Sequence, residues 1–212
     1  MEATINSLHL ILLIIIAIVF WRLRAVLGTH EDGPEKHNPA LDDMPEQSQA
    51  NPVLRVVTKG ENPDAGDGLA DIMKADSDFD AARFLQGAGQ AYQMILTAYA
   101  ENDRQNLTPL VSPDVLAGFE ASMTERERQG YQLETKIISC DEPMIERAEL
   151  DGRLARVTVQ IRAELVSFIR DAAGEIIEGS PEQSQSTHDF WTFERDIKSR
   201  APDWVLIATQ TA

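Results

Sequence analysis

Between Leu8 and Leu23 the chain places twelve Leu, Ile, Val or Phe residues. A helix over this run is apolar on all sides, whereas a helix lying on a core keeps one polar face. At roughly −0.3 to −0.6 kcal/mol per residue, the run favours insertion into a bilayer by several kcal/mol. Ile5 to Leu23 spans roughly nineteen residues, enough to cross a hydrocarbon layer ~30 Å thick. A cleaved signal peptide would need a basic start and a small-residue cleavage site. Here the first charge is Glu2, and the run ends in "WRLRAVLGTH". Residues 1–28 are therefore expected to be an uncleaved anchor with a juxtamembrane segment. Trp21 suits the interfacial belt, and Arg22 and Arg24 follow the span while no Lys or Arg precedes it. The positive-inside rule then puts the N-terminus outside and the C-terminal domain in the cytoplasm. The lone Cys140 agrees with a reducing compartment and excludes an intramolecular disulfide framework.

The remaining chain is acidic. A net charge of −16 and a pI near 4.5 repel phosphate backbones and anionic headgroups, so nucleic acid is not an expected partner. Residues 29–78 are rich in Asp, Glu, Pro, Gly and Asn, and periodic apolar positions are few. They are expected to form a disordered acidic linker, unable to bury enough surface to offset ordering entropy. Within it, "PVLRVVTKG" (Pro52–Gly60) is β-prone, and reads as a transient solvated stretch or a short docking motif.

The domain is expected over residues 79–212. Phe84, Ala88, Ala91, Tyr92, Ile95, Leu96 and Tyr99 recur at helical spacing, with Ser77 or Asp78 as cap. Gly87 and Gly89 would each cost ~1 kcal/mol inside this helix, which predicts close approach of another backbone. A helical turn is expected over Asp103–Leu110. A second helix opens on Ser112 and Pro113, carries Val115, Leu116, Phe119 and Met123 on its buried stripe, and stops at Gly130. From Tyr131 on, the period is two. Val157, Val159, Ile161, Ala163 and Leu165 alternate with polar residues, and Asp151-Gly152 marks a hairpin. "DAAGEIIEGSPEQSQ" is expected as a loop or hairpin tip, followed by strands over "STHDFWTFERD" and "PDWVLIATQ". Helices followed by an antiparallel meander make an α+β domain.

No phosphate loop, C-x-x-C pair or H-E-x-x-H motif occurs. His9, His30, His37 and His188 are scattered, so neither a metal site nor a cofactor is expected, and no catalytic residue is assigned. Asp189 is the candidate proton-transfer group, and its structural reading is an ion pair with Arg195 or Arg162. His188 beside it must point to the other face of the strand. Cys140 reads as a packed small residue.

The text from "FLQGAGQAYQMILTAYA" through "ASMTERERQG", with "THDFWTFERDIKSRAPDWVLIATQ", resembles the Tim-forty-four-like domain. W-T-F-x-R-D at Trp191–Asp196 and P-x-W at Pro202–Trp204 are its most specific pieces. R-x-V-L-G at Arg24–Gly28, after the anchor, is similar to alphaproteobacterial membrane-anchored members. The resemblance implies a cone-shaped domain like nuclear transport factor two, helices packed on a curved antiparallel sheet, with a hydrophobic pocket between them. It also implies a location in the bacterial inner membrane and a non-enzymatic adaptor role in protein translocation or membrane-protein handling. Client proteins and oligomeric state are left unknown. The mitochondrial relative has a basic N-terminal region where this chain has an acidic tether. Phe119, Met123, Val159, Ile161, Trp191 and Phe193 are the residues expected to line the pocket. The alternative is a cone-fold enzyme, an isomerase or dehydratase, acting on a hydrophobic substrate near the membrane.

Overall fold

A computed structural model describes residues 63–199 and 203–212. The expected anchor with Trp21, Arg22 and Arg24, most of the expected linker including Pro52–Gly60, and Pro202 of the P-x-W motif lie outside the described residues. Among the described residues no helix is long and apolar enough to cross a membrane.

The linker expected to reach residue 78 instead yields a helix, α1 (Pro63–Ala75). Two apolar residues one turn apart, Leu69 and Ile72, are enough to seat it, and both are buried. Gly68 lets α1 approach strand β2 (Met144–Asp151) backbone to backbone. A Cβ on Gly68 would overlap the Ala148 carbonyl, whose carbon would lie 2.5 Å away. The close contact expected at Gly87 and Gly89 is therefore found at Gly68. Nothing lies within 4 Å of a Cβ on Gly87, and Gly89 meets only the Pro143 ring at 3.4 Å.

Helix α2 (Ala81–Ala100) is capped by Asp80, whose carboxylate accepts from the Arg83 N–H at 2.7 Å, two residues later than the sequence suggests. Its buried face is Phe84, Ala88, Tyr92 and Ile95. A short helix α3 (Arg104–Leu107) sits under the Asp103 cap. Helix α4 (Pro113–Gln129) has Ser112 as cap, Pro113 in the first turn and Gly130 at φ 69° as terminator, as the sequence predicts.

The sheet is antiparallel throughout. Its strands are β1 (Gln132–Cys140), β2, β3 (Leu154–Arg170), β4 (Ile176–Asp196) and β5 (Val205–Thr211). β3 is the spine. One of its edges carries β2 along Leu154–Gln160 and then β1 along Ala163–Arg170, with the Asp141 N–H donating to Arg162 O at 2.9 Å between them. The other edge carries β4, and β5 adds beyond β4. The segment expected as a loop after Arg170 is mostly strand. Only a tight turn follows β3, where Asp171 accepts from the Ala173 and Glu175 N–H groups, and β4 begins at Ile176. Polar and glycine-rich composition hides this strand because it lies beyond the covering helices and needs no apolar face. Alternation along β3 holds: Val157, Val159, Ile161, Ala163 and Leu165 are buried under the helices.

Candidate functional site

Tyr92, Ile95 and Met123 from the helices close on Val157, Val159, Ile161, Trp191 and Phe193 from the sheet. Tyr92 and Trp191 meet with ring centroids 4.7 Å apart. Met123, Val159, Ile161 and Phe193 have 1% or less of their surface exposed, and Trp191 has 5%. Phe119 is partly buried and packs at a tilt against Tyr99, with ring centroids 5.0 Å apart. Five of the six expected pocket residues thus belong to one closed core, with Phe119 at its margin. These side chains are packed among the buried residues of the core.

Among the described residues a groove lies on the first half of α2. Phe79, Phe84 and Trp204 form an aromatic wall, with centroids 5.9 Å apart for Phe79–Phe84, 5.8 Å for Phe79–Trp204 and 4.7 Å for Phe84–Trp204. Phe193, the one expected residue that reaches this space, supports Phe84 edge-on at 6.1 Å. Leu110 also lines the groove. It is fixed by β5, because Leu206 N–H donates to Leu110 O at 2.9 Å and Ser112 N–H to Leu206 O at 2.8 Å. Gly87 and Ala91 present no bulk, so a groove of about 670 Å³ remains open, with Met94 half exposed at its end. Sequence reasoning missed Phe79, Phe84, Gly87 and Trp204 as a group. The available signal was Gly87, a helical glycine against which no backbone packs.

Asp78, Asp80 and Asp203 stand at the groove, with Arg83 and Arg195. Arg195 is already committed. It pairs with Asp76 just after α1, and its guanidinium lies 5.3 Å from the centroid of the Trp204 ring. Both side chains of this pair are largely buried, at 15% and 12% exposure. The ion pair locks the α1–α2 junction onto the wall of the groove.

Asp189 does not make the expected ion pair. It faces the helices, accepting from the Tyr92 hydroxyl at 3.0 Å and from the Thr211 hydroxyl at 2.9 Å. Arg195 is held by Asp76 instead, and Arg162 stands one register position from Asp189's partner Ile161, so it points to the other face. Tyr92 is fully buried, and burial first, opposed by Thr187 and aided by Asp189, pushes its phenol well above the ordinary tyrosine range. His188 lies on the opposite face from Asp189, against Gln160 and Phe190, as the strand period requires. The Cys140 thiol is raised by burial and by Asp141. Among the described residues no three His, Cys, Asp or Glu groups come together to hold a metal ion. Arg126, the buried cation of α4, closes the C-terminal end of α2 by donating to Tyr99 O at 2.6 Å and Asn102 Oδ1 at 2.7 Å.

Several solved structures are similar to the chain at low identity. The intermembrane-space region of the chloroplast protein ARC6 is 11% identical, covering 63% of this chain and 96% of that one, with a TM-score of 0.42. A periplasmic fragment of TraM is 14% identical over 58% and 90%, with a TM-score of 0.39. A nuclear transport factor 2-like superfamily protein from Salmonella enterica serovar Typhimurium is 10% identical over 63% and 92%, with a TM-score of 0.37. No curated protein matches. The model of the Tim44-like domain matches residues 65–211, which takes in α1 as well as the helices and strands after it. By that match, over more than half its length, the chain belongs to the Tim44-like domain family.

Proposed function

We propose that the protein is a membrane-anchored adaptor whose domain binds apolar protein segments in the groove on α2. In this reading residues 1–28 hold it in a bacterial inner membrane, with the N-terminus outside and the domain in the cytoplasm. It serves protein translocation or membrane-protein handling, and it is not an enzyme. The observation that carries the reading is the composition of the groove: Phe79, Phe84, Leu110, Met94 and Trp204 offer apolar contact, and its acidic groups stand at solvent. Such a surface holds an aromatic or aliphatic anchor without positioning a proton. The half-buried Asp189 and the buried Tyr92 phenol are not among the residues lining the groove, and both Asp189 oxygens already accept hydroxyl hydrogens. That arrangement supports a structural role for them over proton transfer.

A photocrosslinking amino acid at Met94 in the membrane-bound chain tests the reading. Discrete protein adducts are expected, and Gly87→Leu should remove them, because a side chain there grows into the groove and meets nothing else. Absence of adducts, or adducts indifferent to Gly87→Leu, would discard the adaptor reading. A Gly87→Leu chain that still folds and an Asp189→Asn chain inactive in cells would together favour the enzyme.

A further inference from the structure

We propose that the free edge of β1 pairs with the same edge of a second copy of the chain, joining two sheets into one across a two-fold axis at Thr135. The pairing stands apart from the groove on α2 and does not depend on it.

β1 ends the path of strands, and among the described residues no strand pairs with its other edge. Farther along the same side of β3 the sheet is covered, because α1 sits on β2 with Gly68 against the Ala148 carbonyl. An uncovered edge leaves main-chain donors and acceptors open to another strand, and charged side chains commonly guard it. β1 carries two such residues, Glu134 and Lys136, both exposed. They flank Thr135 and share one face of the strand. Their opposite signs make the edge complementary to an antiparallel copy of itself. With Thr135 opposite Thr135 of the second copy, Glu134 faces Lys136 of the second copy and the reverse pair forms symmetrically. Both pairs are attractive. The two adjacent symmetric registers set Glu134 against Glu134 or Lys136 against Lys136, so charge selects one register.

The other side chains agree with it. Glu134 accepts from Arg170 through Oε1 at 2.8 Å, which leaves Oε2 for a second cation. Among the described residues Lys136 takes part in no ion pair. On the opposite face Leu133 meets Ile137 of the second copy. Leu133 is half-buried but is not among the residues packed on the core, so this contact covers apolar surface that its own domain leaves open. The bulge at Ile138, 49% exposed, ends the regular stretch. A contact this short stays below the ~800 Å² a side of a standard interface, so the pairing is reversible. A two-fold axis normal to the sheet keeps both helical layers on one side, and the two α2 grooves with them.

The test uses the full chain in membranes, in a Cys140→Ser background with Thr135→Cys and a short bifunctional thiol reagent. A crosslinked dimer is expected. Glu134→Lys alone and Lys136→Glu alone should each lower its yield at least about fourfold, since both charge pairs turn repulsive. Two differently tagged chains, one with Glu134→Lys and one with Lys136→Glu, should crosslink to each other when produced together, because the first presents cations at both positions and the second presents acids. A change that merely damaged the fold would not be rescued in this way. Yields indifferent to the single charge changes would overturn the proposal. So would single changes that lower the yield without rescue in the mixed pair. Thr135→Cys adducts with other proteins in place of the dimer would overturn it in favour of a foreign strand on this edge.

Discussion

Substituting alanine at two glycines of the same helix should move stability in opposite directions. A Cβ on Gly66 meets nothing within 4 Å, so Gly66→Ala gains only helix propensity, ~0.8–1.0 kcal/mol. Gly68→Ala gains the same propensity but drives its Cβ into the Ala148 carbonyl of β2. That carbonyl is backbone in a hydrogen-bonded strand and cannot rotate aside, so α1 must shift. Overpacking of this kind costs about 1–3 kcal/mol, occasionally more. The ceiling is full undocking of α1, which exposes Leu69 and Ile72 at ~1.5–3 kcal/mol each. Net of propensity, the range runs from about 0 for a small shift of α1 to about 5 kcal/mol for full undocking, and a Cβ that would overlap the Ala148 carbonyl places Gly68→Ala well above the low end. At ~2–4 °C per kcal/mol for a domain of this size, that is a fall in Tm of up to roughly 20 °C, against a rise of a few degrees for Gly66→Ala. Thermal unfolding of the full chain in mild detergent, followed by near-ultraviolet circular dichroism, separates the two. Equal, small effects from both variants would mean that α1 does not rest on β2 and that the domain starts at Phe79.

Other expectations follow from the same contacts. Arg195→Leu strands Asp76 in a largely buried place and should cost ~3–5 kcal/mol in denaturant unfolding, and Asp76→Asn in the same chain should restore much of it. The buried Tyr92 phenol keeps its proton to higher pH than an unfolded tyrosine, which titrates near ~10. Its share of stability is therefore complete below about pH 10 and is lost as pH rises from there. Unfolding midpoints measured from pH 8 to 12 should fall less steeply in Tyr92→Phe, and identical slopes would refute the assignment. A reporter active only in the periplasm, fused after Ala212, should be silent, and strong activity would reverse the proposed topology.

The elements that sequence alone located were those with two independent signals. For α4 these were a Ser-Pro start, a glycine stop and an apolar stripe. For β3 they were strict alternation and the Asp151-Gly152 turn. α1 escaped because two buried residues in an acidic, glycine-containing stretch look like linker, and its seat depends on Ala148, some eighty residues later. The start of β4 escaped because a strand without a covering helix carries no apolar alternation. The site was legible in its parts but not in its place. Trp191 and Phe193 share a face as expected, yet an apolar stripe opposite an apolar face predicts contact, and it does not say whether a space remains. Where space does remain, it is set by missing bulk at Gly87 and Ala91, and only packing in three dimensions reveals which side of α2 those positions leave uncovered.

The order in which α1 is fastened has a mechanical meaning. From its N-terminal end the attachments come in series: Gly68 against Ala148, then Leu69, then Ile72, then the Asp76–Arg195 pair. A pull arriving through Pro63 loads them one at a time, so α1 should peel from the sheet at low force. Uncoiling its thirteen residues from ~1.5 to ~3.4 Å each would release about 25 Å of chain before the sheet bears load. Asp76–Arg195 is the last fastening to give, and Arg195 lines the groove, so tension that reaches it reaches the wall carrying Trp204. Under such a pull α1 would act as an extensible slack element in line with the groove, absorbing small displacements and passing on large ones.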